Sequence, residues 1–261
     1  MMPAEFDITG KVVFITGAGR GIGKGVAQVL AEAGADIALN ALTPTYVEGV
    51  AAEIAASSGR RVVPIIADVT KADTAQRAVD QVLATFGRID VLVNALGDSI
   101  RKPMVPLPDG TPAASDEELK FILDVNLMEA LLVTRAVGPH MLQRRSGKVI
   151  SIASWTAHAG GRDLVLYTTA KTALVGFTRA QALEWAPYNV QVNAISPGLF
   201  PDVVTSGEAR VRETEERSKT MVPLGRAGRL REVGYLALYL ASPASDYMTG
   251  QSIPLDGGLG L

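Results

Sequence analysis

Short apolar runs alternate with longer segments of helical periodicity along most of the chain. Runs rich in β-branched residues lie at 11–16, 36–40, 61–68, 89–95, 147–154 and 189–196, with a last short one at 252–256. Alanine-rich segments with apolar residues three and four positions apart separate them. Strands that alternate with helices are typical of βαβ units. The pattern predicts an α/β fold: a single doubly wound parallel sheet of the Rossmann type with helices on both faces.

Two segments interrupt this alternation. Residues 97–118 are rich in proline, and residues 197–225 are polar and charged. Each follows the end of a predicted strand, where ligands of doubly wound folds bind. Because long loops in compact domains are usually functional, we interpret about 97–115 and 197–225 as substrate loops. The alternative is that they are surface insertions without ligand contact.

Length, charge and cysteine content narrow the classes of function. A chain of 261 residues fits one α/β domain, so residues 1–261 are interpreted as a single catalytic domain. A net charge of -2 without a basic cluster argues against nucleic acid as a partner. The absence of cysteine excludes thiolate chemistry and fits a reducing compartment. Without a signal-like start or a long apolar stretch, we expect a cytoplasmic protein that does not bind membranes.

The sequence TGAGRGIG at 16–23 follows the first predicted strand and opens a helix. Gly17 permits a tight turn, Gly21 lets the main chain approach a pyrophosphate, and Gly23 allows close helix packing. The helix N-terminus around Ile22 then offers unpaired amides to an anion. In this context the glycines predict a dinucleotide site, and the alternative is a turn that binds nothing.

The end of the second predicted strand bears on the choice of cofactor. An acidic residue there would bind the ribose hydroxyls of NAD, and residues 38–44 contain none. Arg20 can offer a cation to the 2′-phosphate of NADP, while Asn40 and Thr43 can donate neutral hydrogen bonds. The sequence predicts that NADP(H) is preferred. The alternative is a solvated Arg20 and acceptance of NAD(H) as well.

The third predicted strand closes with Ala-Asp-Val at 67–69. The carboxylate of Asp68 can accept a hydrogen bond from the adenine amino group, or it can cap the helix that follows. We therefore assign Asp68 and Val69 to the cofactor site and leave both roles of Asp68 open.

The sequence YTTAK at 167–171 places a phenol and an amine four positions apart on a predicted helix. Residues at this spacing share a face, so Tyr167 and Lys171 are neighbours. A phenol with a pKa near ~10 is a poor acid or base at neutral pH, but a nearby ammonium favours the phenolate. We predict that Lys171 lowers the pKa of Tyr167 and makes it a usable proton carrier.

Two polar residues are expected near this pair. Ser154 ends a predicted strand, where its hydroxyl can bind the substrate oxygen or cap the next segment. Asn126 lies in an otherwise apolar helix at 117–137, where its amide either packs against a partner or relays protons through water. Taken alone, Asn126 is interpreted as structural.

In order and spacing these motifs resemble the short-chain dehydrogenase/reductase family over essentially the whole chain, and its 3-oxoacyl-carrier-protein reductase-like and sugar-acid dehydrogenase-like members in particular. TGAGRGIG is similar to its glycine turn, DVNL at 124–127 to the segment of its catalytic asparagine, and SIAS and YTTAK to its serine and Tyr-x-x-x-Lys elements. NAISPG at 193–198 and residues 223–258 are similar to its carboxyl-terminal half.

The resemblance implies a catalytic tetrad of Asn126, Ser154, Tyr167 and Lys171. Tyr167 would exchange a proton with a carbonyl or secondary alcohol while a hydride moves to or from nicotinamide, and Ser154 would polarise the substrate oxygen. Lys171 would tune the phenol and, with Tyr167, hold the nicotinamide ribose, and Asn126 would bind a relay water. The resemblance also implies a homotetramer, for which the alanine-rich helices at 116–142 and 165–186 offer surfaces.

Further cofactor contacts follow from the resemblance. Pro197 and Gly198 would shape the turn near the carboxamide, and Asn94 with Ala95 would meet the adenosine half. The chain reads NALG at 94–97 where the family has Asn-Asn-Ala-Gly, and LFPDVV at 199–204 where it places a threonine.

The substrate prediction rests on charged residues of the two loops. If Arg101, Lys102, Arg210 and Arg212 line the cleft, they favour an anionic or carrier-linked substrate, and the alternative is that they are solvated. We predict a reductase of a 3-oxoacyl thioester or ketone, or else a dehydrogenase of a sugar acid or polyol.

An alternative function of another class is a non-catalytic redox sensor that binds a dinucleotide. The joint presence of Ser154, Tyr167 and Lys171 argues against this alternative, because a sensor would not need them. Trp155 and His158 lie close to Ser154 in sequence, and His158 either contacts substrate or only packs. Since the other histidine is the distant His140, no metal site is expected.

Overall fold

The computed structural model describes residues 3–261 and centres on a sheet of seven parallel strands. The order across the sheet is β3-β2-β1-β4-β5-β6-β7. The strands are β1 (Val12–Ile15), β2 (Asp36–Ala41), β3 (Val62–Ile66), β4 (Val91–Asn94), β5 (Gly147–Ile152), β6 (Val190–Pro197) and β7 (Ser252–Leu255). Each predicted apolar run contributes one strand, so the predicted doubly wound α/β fold is confirmed.

Helices cover both faces of the sheet. They are α1 (Gly21–Glu32), α2 (Pro44–Ser58), α3 (Ala72–Phe86), α4 (Asp116–Leu123), α5 (Glu129–Arg144), α6 (Thr156–Ala159), α7 (Val165–Trp185), α8 (Val203–Ser206), α9 (Glu208–Met221) and α10 (Leu230–Ala241). Within residues 3–261, none of them has both the length and the hydropathy that crossing a bilayer requires.

Each face of the sheet has its own core. Side chains alternate along a strand, so Val13 and Ile15 of β1 pack with α1, α2 and α10, while Val12 and Phe14 pack with α3, α5 and α7. Both cores are fully apolar at their centres, which fixes the register of β1 because a shift by one residue would exchange the two faces.

The chain reverses its direction of winding between β1 and β4. These two strands pair directly, with Phe14 opposite Leu92, although α1, β2, α2, β3 and α3 lie between them in sequence. A crevice forms at the carboxyl ends of the strands at such a switch point. The glycine turn and the segments after β4, β5 and β6 therefore meet at one edge of the sheet.

The two interpreted substrate loops differ in the structure. Residues 97–115 contain neither helix nor strand, and Ser115 then begins α4 with a capping box closed by Glu118. Residues 197–225 instead carry α8 and α9, so the interpretation of this segment as a loop is wrong. Helix-forming residues fill α9, and Arg212 and Glu208 form an ion pair one turn apart at 3.4 Å.

The helix predicted at 117–137 is also interrupted. A π-helical turn at Asp124–Met128 separates α4 from α5, and Asn126 lies within it. Turns of this kind widen the helix by one residue and are frequent at functional sites. The sequence pattern did not predict this interruption because Asp124 to Met128 keep the apolar spacing of a regular helix.

Candidate functional site

The glycine turn between β1 and α1 forms a cradle of main chain. Gly17 has a φ of 62°, and a methyl group on it would lie 2.6 Å from the Cα atom of Leu96. A methyl group on Gly23 would lie 2.6 Å from the carbonyl oxygen of Gly17, so α1 starts directly against the turn. Gly21 also has a positive φ and lies near Thr205 of α8, while Ile22 packs on the core beneath. This close main-chain packing at a helix N-terminus fits a pyrophosphate.

Arg20 and Thr43 occupy the N-caps of α1 and α2, two helices whose starts are brought together by the glycine turn. Gly19 contacts the first turn of α2 at Tyr46, which brings the glycine turn next to the start of that helix. Arg20 is exposed at the N-cap of α1 and makes no ion pair among residues 3–261. Thr43 occupies the N-cap of α2, and its hydroxyl lies 3.3 Å from that of Thr45. Both side chains are free to meet an anionic group here.

Asn40 does not have the role that the sequence predicted. Its side chain is buried, and its amide nitrogen donates to the main-chain oxygens of Ile65 at 3.0 Å and Ala67 at 3.1 Å. Because these bonds use both amide protons, none is left for a phosphate. Asn40 instead ties β2 to the end of β3.

Asp68 forms a turn at the end of β3. Its carboxylate accepts the main-chain N–H and the hydroxyl of Thr70, at 3.0 and 2.6 Å. The N-cap of α3 is Lys71, so the alternative in which Asp68 caps that helix is wrong. Val69 is buried in the core under α3. A contact of Asp68 with adenine stays a prediction.

The residues at the carboxyl ends of β4 and β6 hold the edge of the sheet together. Asn94 is buried and its amide donates to the hydroxyls of Thr134 and Ser151, while the N–H of Ala95 donates to Thr16 Oγ1 at 3.0 Å. The carbonyl oxygen of Pro197 accepts the N–H of Trp155 at 3.0 Å.

Gly198 lies so close to the chain after β7 that a methyl group on it would be 2.7 Å from the Cα atom of Asp256. The structure therefore gives Asn94, Ala95, Pro197 and Gly198 structural contacts at the predicted cofactor edge, and their cofactor contacts stay predictions.

Ser154 and Tyr167 meet beside the end of β5. The main-chain N–H and the hydroxyl of Thr156 both donate to Ser154 Oγ, at 3.2 and 3.0 Å, which leaves the Ser154 proton free to be donated. The side chain of Ser154 acts to lower the pKa of Tyr167, so the two hydroxyl groups are neighbours. The two side chains can therefore bind one substrate oxygen between them.

The predicted effect of Lys171 on Tyr167 is not observed. Burial raises the pKa of Tyr167, and only the side chain of Ser154 acts in the opposite direction. The Nζ atom of Lys171 lies 5.8 Å from the centre of the Tyr167 ring, and it donates to the carbonyl oxygen of Ile152 at 2.8 Å. In this state of the protein, loss of hydration decides the direction of the shift, and Lys171 does not lower the pKa of the phenol.

Asn126 approaches Lys171 from the π-helical turn. Its amide donates to the main-chain oxygens of Asp98 and Ile122, at 2.8 and 2.9 Å, and its Oδ1 atom has no partner among the described residues. A methyl group on Gly97 would lie 2.9 Å from that oxygen and 3.3 Å from Lys171 Nζ. Glycine at this position thus preserves space between the amide and the ammonium.

Glu129 is a functional candidate that the sequence analysis missed. Its side chain is 1% exposed, Thr16 Oγ1 donates to Oε1 at 3.4 Å, and Oε2 has no partner among residues 3–261. Burial raises the pKa of this carboxyl, and the attraction of Lys171 opposes the shift. The available signal was a carboxylate in an apolar helical pattern, three positions beyond Asn126 and hence near its face.

The two histidines lie apart. His158 Nε2 lies 3.0 Å from Ser196 Oγ and 3.2 Å from Ser252 Oγ, so it links α6 to β6 and β7. His140 accepts the N–H of Ile89 at the opposite edge of the sheet. Between residues 3 and 261, no three His, Asp or Glu side chains cluster as metal ligands would.

The charged residues of the two interpreted loops divide into two groups. Lys102 is paired with Glu118 at 2.7 Å, and Arg212 with Glu208. Arg101 and Arg210 are exposed and form no ion pair in the part of the chain that the structure describes. Of these two unpaired cations, Arg101 lies in the segment that follows β4, and Arg210 lies in α9.

Known proteins are similar to this chain over nearly its full length. The family profile described as Enoyl-(Acyl carrier protein) reductase matches residues 17–260. The 2-dehydro-3-deoxy-D-gluconate 5-dehydrogenase of Escherichia coli (strain K12) is 34% identical over 263 residues, which cover 99% of this chain and 98% of that protein. The 3-oxoacyl-acyl-carrier-protein reductase FabG of Thermotoga maritima is 33% identical over 252 residues, covering 97% and 98%.

A solved structure agrees with these matches. The gluconate 5-dehydrogenase of Burkholderia cenocepacia J2315, in complex with NADP and tartrate, has a TM-score of 0.89 at 31% identity and covers 98% of this chain and 97% of its own. The resemblance that the motifs indicated is confirmed. Because sequence and structure match over nearly the whole chain, this chain belongs to the short-chain dehydrogenase/reductase family, whose members are NAD(P)-dependent oxidoreductases.

Proposed function

We propose that this protein, as a single catalytic domain, interconverts a carbonyl and a secondary alcohol with Tyr167 as the acid and base. The observation that carries this is that the hydroxyl groups of Tyr167 and Ser154 are neighbours, with Lys171 one helical turn away. A substrate oxygen bound by Ser154 would lie within reach of the Tyr167 proton. Ser154 would stabilise the negative charge that develops on that oxygen during reduction.

The cofactor in this proposal is NADP(H), which supplies or accepts the hydride when bound. The glycine turn would hold its pyrophosphate, and Arg20 with Thr43 would bind the 2′-phosphate. The exposed Arg20, next in sequence to the glycine that lies against the first turn of α2, supports this choice. So does the NADP in the structure of the Burkholderia cenocepacia relative.

An Arg20→Ala variant tests the preference for NADP. We expect its KM for NADPH to rise by about tenfold to a hundredfold, because a charge-assisted contact is worth roughly 1.5–3 kcal/mol. The KM for NADH should stay within about twofold of the parent value, since NADH carries no phosphate at that position. Equal increases for both cofactors, measured by absorbance of the reduced nicotinamide, would contradict the assignment.

The substrate that we propose is a sugar acid. The exposed cation of Arg101, in the segment that follows β4, supports a carboxylate-bearing substrate, and so do the names of the Escherichia coli and Burkholderia cenocepacia relatives. A carrier-linked 3-oxoacyl chain is the second candidate. Exposed apolar side chains of Met104, Val105 and Leu107 in the segment after β4 favour it, as does the Thermotoga maritima relative.

A direct comparison of substrates decides between these two classes. The parent protein would be assayed with NADP and D-gluconate, with NADP and 2-dehydro-3-deoxy-D-gluconate, and with NADPH and an acetoacetyl thioester. A sugar-acid enzyme should turn over one of the first two with a kcat/KM at least about a hundredfold above the thioester. The reverse order would assign the thioester class, and no turnover with any of them would contradict both.

We further propose that the protein is a cytoplasmic homotetramer. Exposed apolar side chains on α4, the π-helical turn and α7 support self-association: Phe121, Met128 and Leu183. The mass in solution, measured by light scattering, should be about four times the 27.4 kDa of one chain. A mass of one or two chains would contradict the tetramer.

A further inference from the structure

Within residues 3–261, the hydroxyl oxygen of Ser154 accepts hydrogen bonds from two donors, and both belong to Thr156. The main-chain N–H of Thr156 donates to Ser154 Oγ at 3.2 Å, and the Thr156 hydroxyl donates to the same atom at 3.0 Å. A hydroxyl group has two acceptor lone pairs and one proton. Because both lone pairs are occupied, one position around Oγ remains, and the Ser154 proton must take it.

The helix that follows explains only the first of these two bonds. α6 begins at Thr156, whose main-chain N–H has no partner inside the helix, and a nearby serine oxygen can satisfy such a group. The Thr156 hydroxyl takes no part in that contact. Thr156 is 2% exposed, at a position where an apolar side chain would be expected. Its buried hydroxyl therefore points to a role beyond the start of α6.

The main chain on either side of Ser154 is tied to β6. The N–H of Ala153 donates to the carbonyl oxygen of Ile195 at 2.7 Å, and the N–H of Trp155 donates to the carbonyl oxygen of Pro197 at 3.0 Å. These bonds fix the position of the Ser154 main chain but not the direction of its hydroxyl proton. That direction depends on the hydrogen bonds at Oγ.

Thr156 is itself held by the residues after α6. Its carbonyl oxygen accepts the N–H of Gly160 at 2.8 Å, and a methyl group on Gly161 would lie 3.1 Å from its Cγ2 atom. Ser154 is only 4% exposed, so the bond between the two hydroxyl groups is sheltered from water. In such surroundings hydrogen bonds that share an atom polarise one another.

We propose that Thr156 is a positioning residue of the active site, whose hydroxyl aims the Ser154 proton at the substrate oxygen and strengthens Ser154 as a donor. The inference rests on the proposed function, in which Ser154 stabilises the negative charge on that oxygen. A hydroxyl that accepts a hydrogen bond becomes a better donor, because its own O–H bond is polarised further. A donor already in place also needs no rearrangement as the charge develops.

Thr156→Val tests this, because it removes the hydroxyl and keeps the main-chain N–H. We expect kcat to fall by about three- to tenfold, a fraction of the roughly 10²–10³-fold that an oxyanion donor contributes. KM should stay within about twofold, since the charge on the substrate oxygen develops in the transition state. Thr156→Ser keeps a hydroxyl and should restore most of the parent kcat. The assay would use the sugar acid or thioester that the parent turns over fastest.

Two further variants separate this role from a general loss of structure. Thr178→Val removes another buried threonine hydroxyl, which donates to the carbonyl oxygen of Leu174 on α7 at 2.9 Å, and it should leave kcat unchanged. In a Ser154→Ala background, Thr156→Val should cause no further loss of kcat, because the group through which Thr156 acts is already absent. An equal loss in both backgrounds would show that Thr156 does not act through Ser154, and would overturn the inference.

Unfolding by urea tests the same bond without substrate or cofactor. Thr156→Val should lower the urea midpoint in the parent. In Ser154→Ala the buried donors of Thr156 have lost their acceptor, so adding Thr156→Val should lower the midpoint no further. In the control cycle, which combines Ser154→Ala with Thr178→Val, the two shifts should add.

The urea measurements also keep this inference apart from the proposed function. Shifts that add in the cycle of Ser154 and Thr156 would contradict the inference, whether or not the protein turns over a substrate. Inactivity of the parent with all three substrates, together with shifts that do not add, would contradict the proposed function and leave Thr156 as the residue that positions the Ser154 hydroxyl. If Thr156→Val does not fold, Thr156→Ala takes its place in both cycles, and the same outcomes decide.

Discussion

Each edge of the sheet buries one carboxylate, and the two carboxylates differ in their hydrogen bonds and in the direction of their pKa shifts. Asp90 precedes β4 at the amino edge, where it accepts the N–H of Val12 at 2.9 Å and pairs with Arg88 and Arg144 at 2.5 and 2.9 Å. Burial alone would raise its pKa, but the hydrogen bonds from these partners outweigh burial and lower it. Glu129 at the carboxyl edge has one long hydrogen bond, and its pKa is raised.

This difference between Asp90 and Glu129 distinguishes an edge that stabilises the fold from an edge that carries the proposed active site. Asp90 is satisfied by neighbours that fix the start of β1 and β4, as expected of a structural residue. Buried polar atoms without partners among the described residues occur at both edges: Arg60 Nε and Arg88 Nε lie before β3 and β4, and Asn94 Oδ1, Asn126 Oδ1 and Glu129 Oε2 lie at the carboxyl edge. Those of the carboxyl edge are all acceptor oxygens at the edge where ligands of this fold bind, so they are available to hydrogen-bond donors of a ligand or water.

The strongest test of this comparison is Tyr167→Phe. Removing the hydroxyl should lower kcat by about 10²–10⁴-fold, because general acid and base catalysis contributes that much. The free energy of unfolding, measured by urea denaturation, should change by less than about 1.5 kcal/mol, the upper worth of one neutral hydrogen bond. Undiminished turnover would show that the carboxyl edge performs a different reaction.

The amino edge should behave in the opposite way in Asp90→Asn. We expect a loss of about 2 kcal/mol in the free energy of unfolding, since charge-assisted hydrogen bonds to Arg88 and Arg144 are lost, with kcat unchanged at 25 °C. Because the pKa of Asp90 is lowered in the fold, its stabilising effect is present above the ordinary value of 3.8 and disappears as the pH falls through the folded value. Parent and variant should therefore become equally stable in strong acid. A constant difference at all pH values would contradict this assignment.

A smaller effect is expected from Gly97→Ala. The added methyl group would lie 2.9 Å from Asn126 Oδ1 and 3.3 Å from Lys171 Nζ, so one of these groups must move, and kcat/KM should fall by about tenfold. Gly176→Ala on α7 is the matched control, because nothing lies within 4 Å of the new methyl group. It should keep full activity and gain about 0.5–1 kcal/mol of stability. Equal activity of both variants would show that the space beside Gly97 is not used.

The sequence predicted the sheet and the place of the site because both depend on short-range patterns. Apolar runs of strand length fixed the seven strands, and the glycine turn after β1 fixed the edge at which ligands bind. The spacing of Tyr167 and Lys171 correctly placed them on one face of α7.

The features that the sequence did not predict depend on contacts between distant segments. The amide of Asn40 is occupied by carbonyl groups of β3, which only the strand pairing reveals. The pKa of Tyr167 depends on burial, which the helix pattern around it does not indicate. Glu129 looks like an ordinary helical residue until the fold buries it.

The π-helical turn at Asp124–Met128 makes the length of this stretch of chain as important as its composition. The turn accommodates one extra residue by local widening, so removing one residue from it would restore a regular helix that runs from α4 into α5. Asn126 would then lose the place on the widened turn from which its side chain approaches Lys171. A single deletion could therefore displace Asn126 even with every other side chain of the helix unchanged.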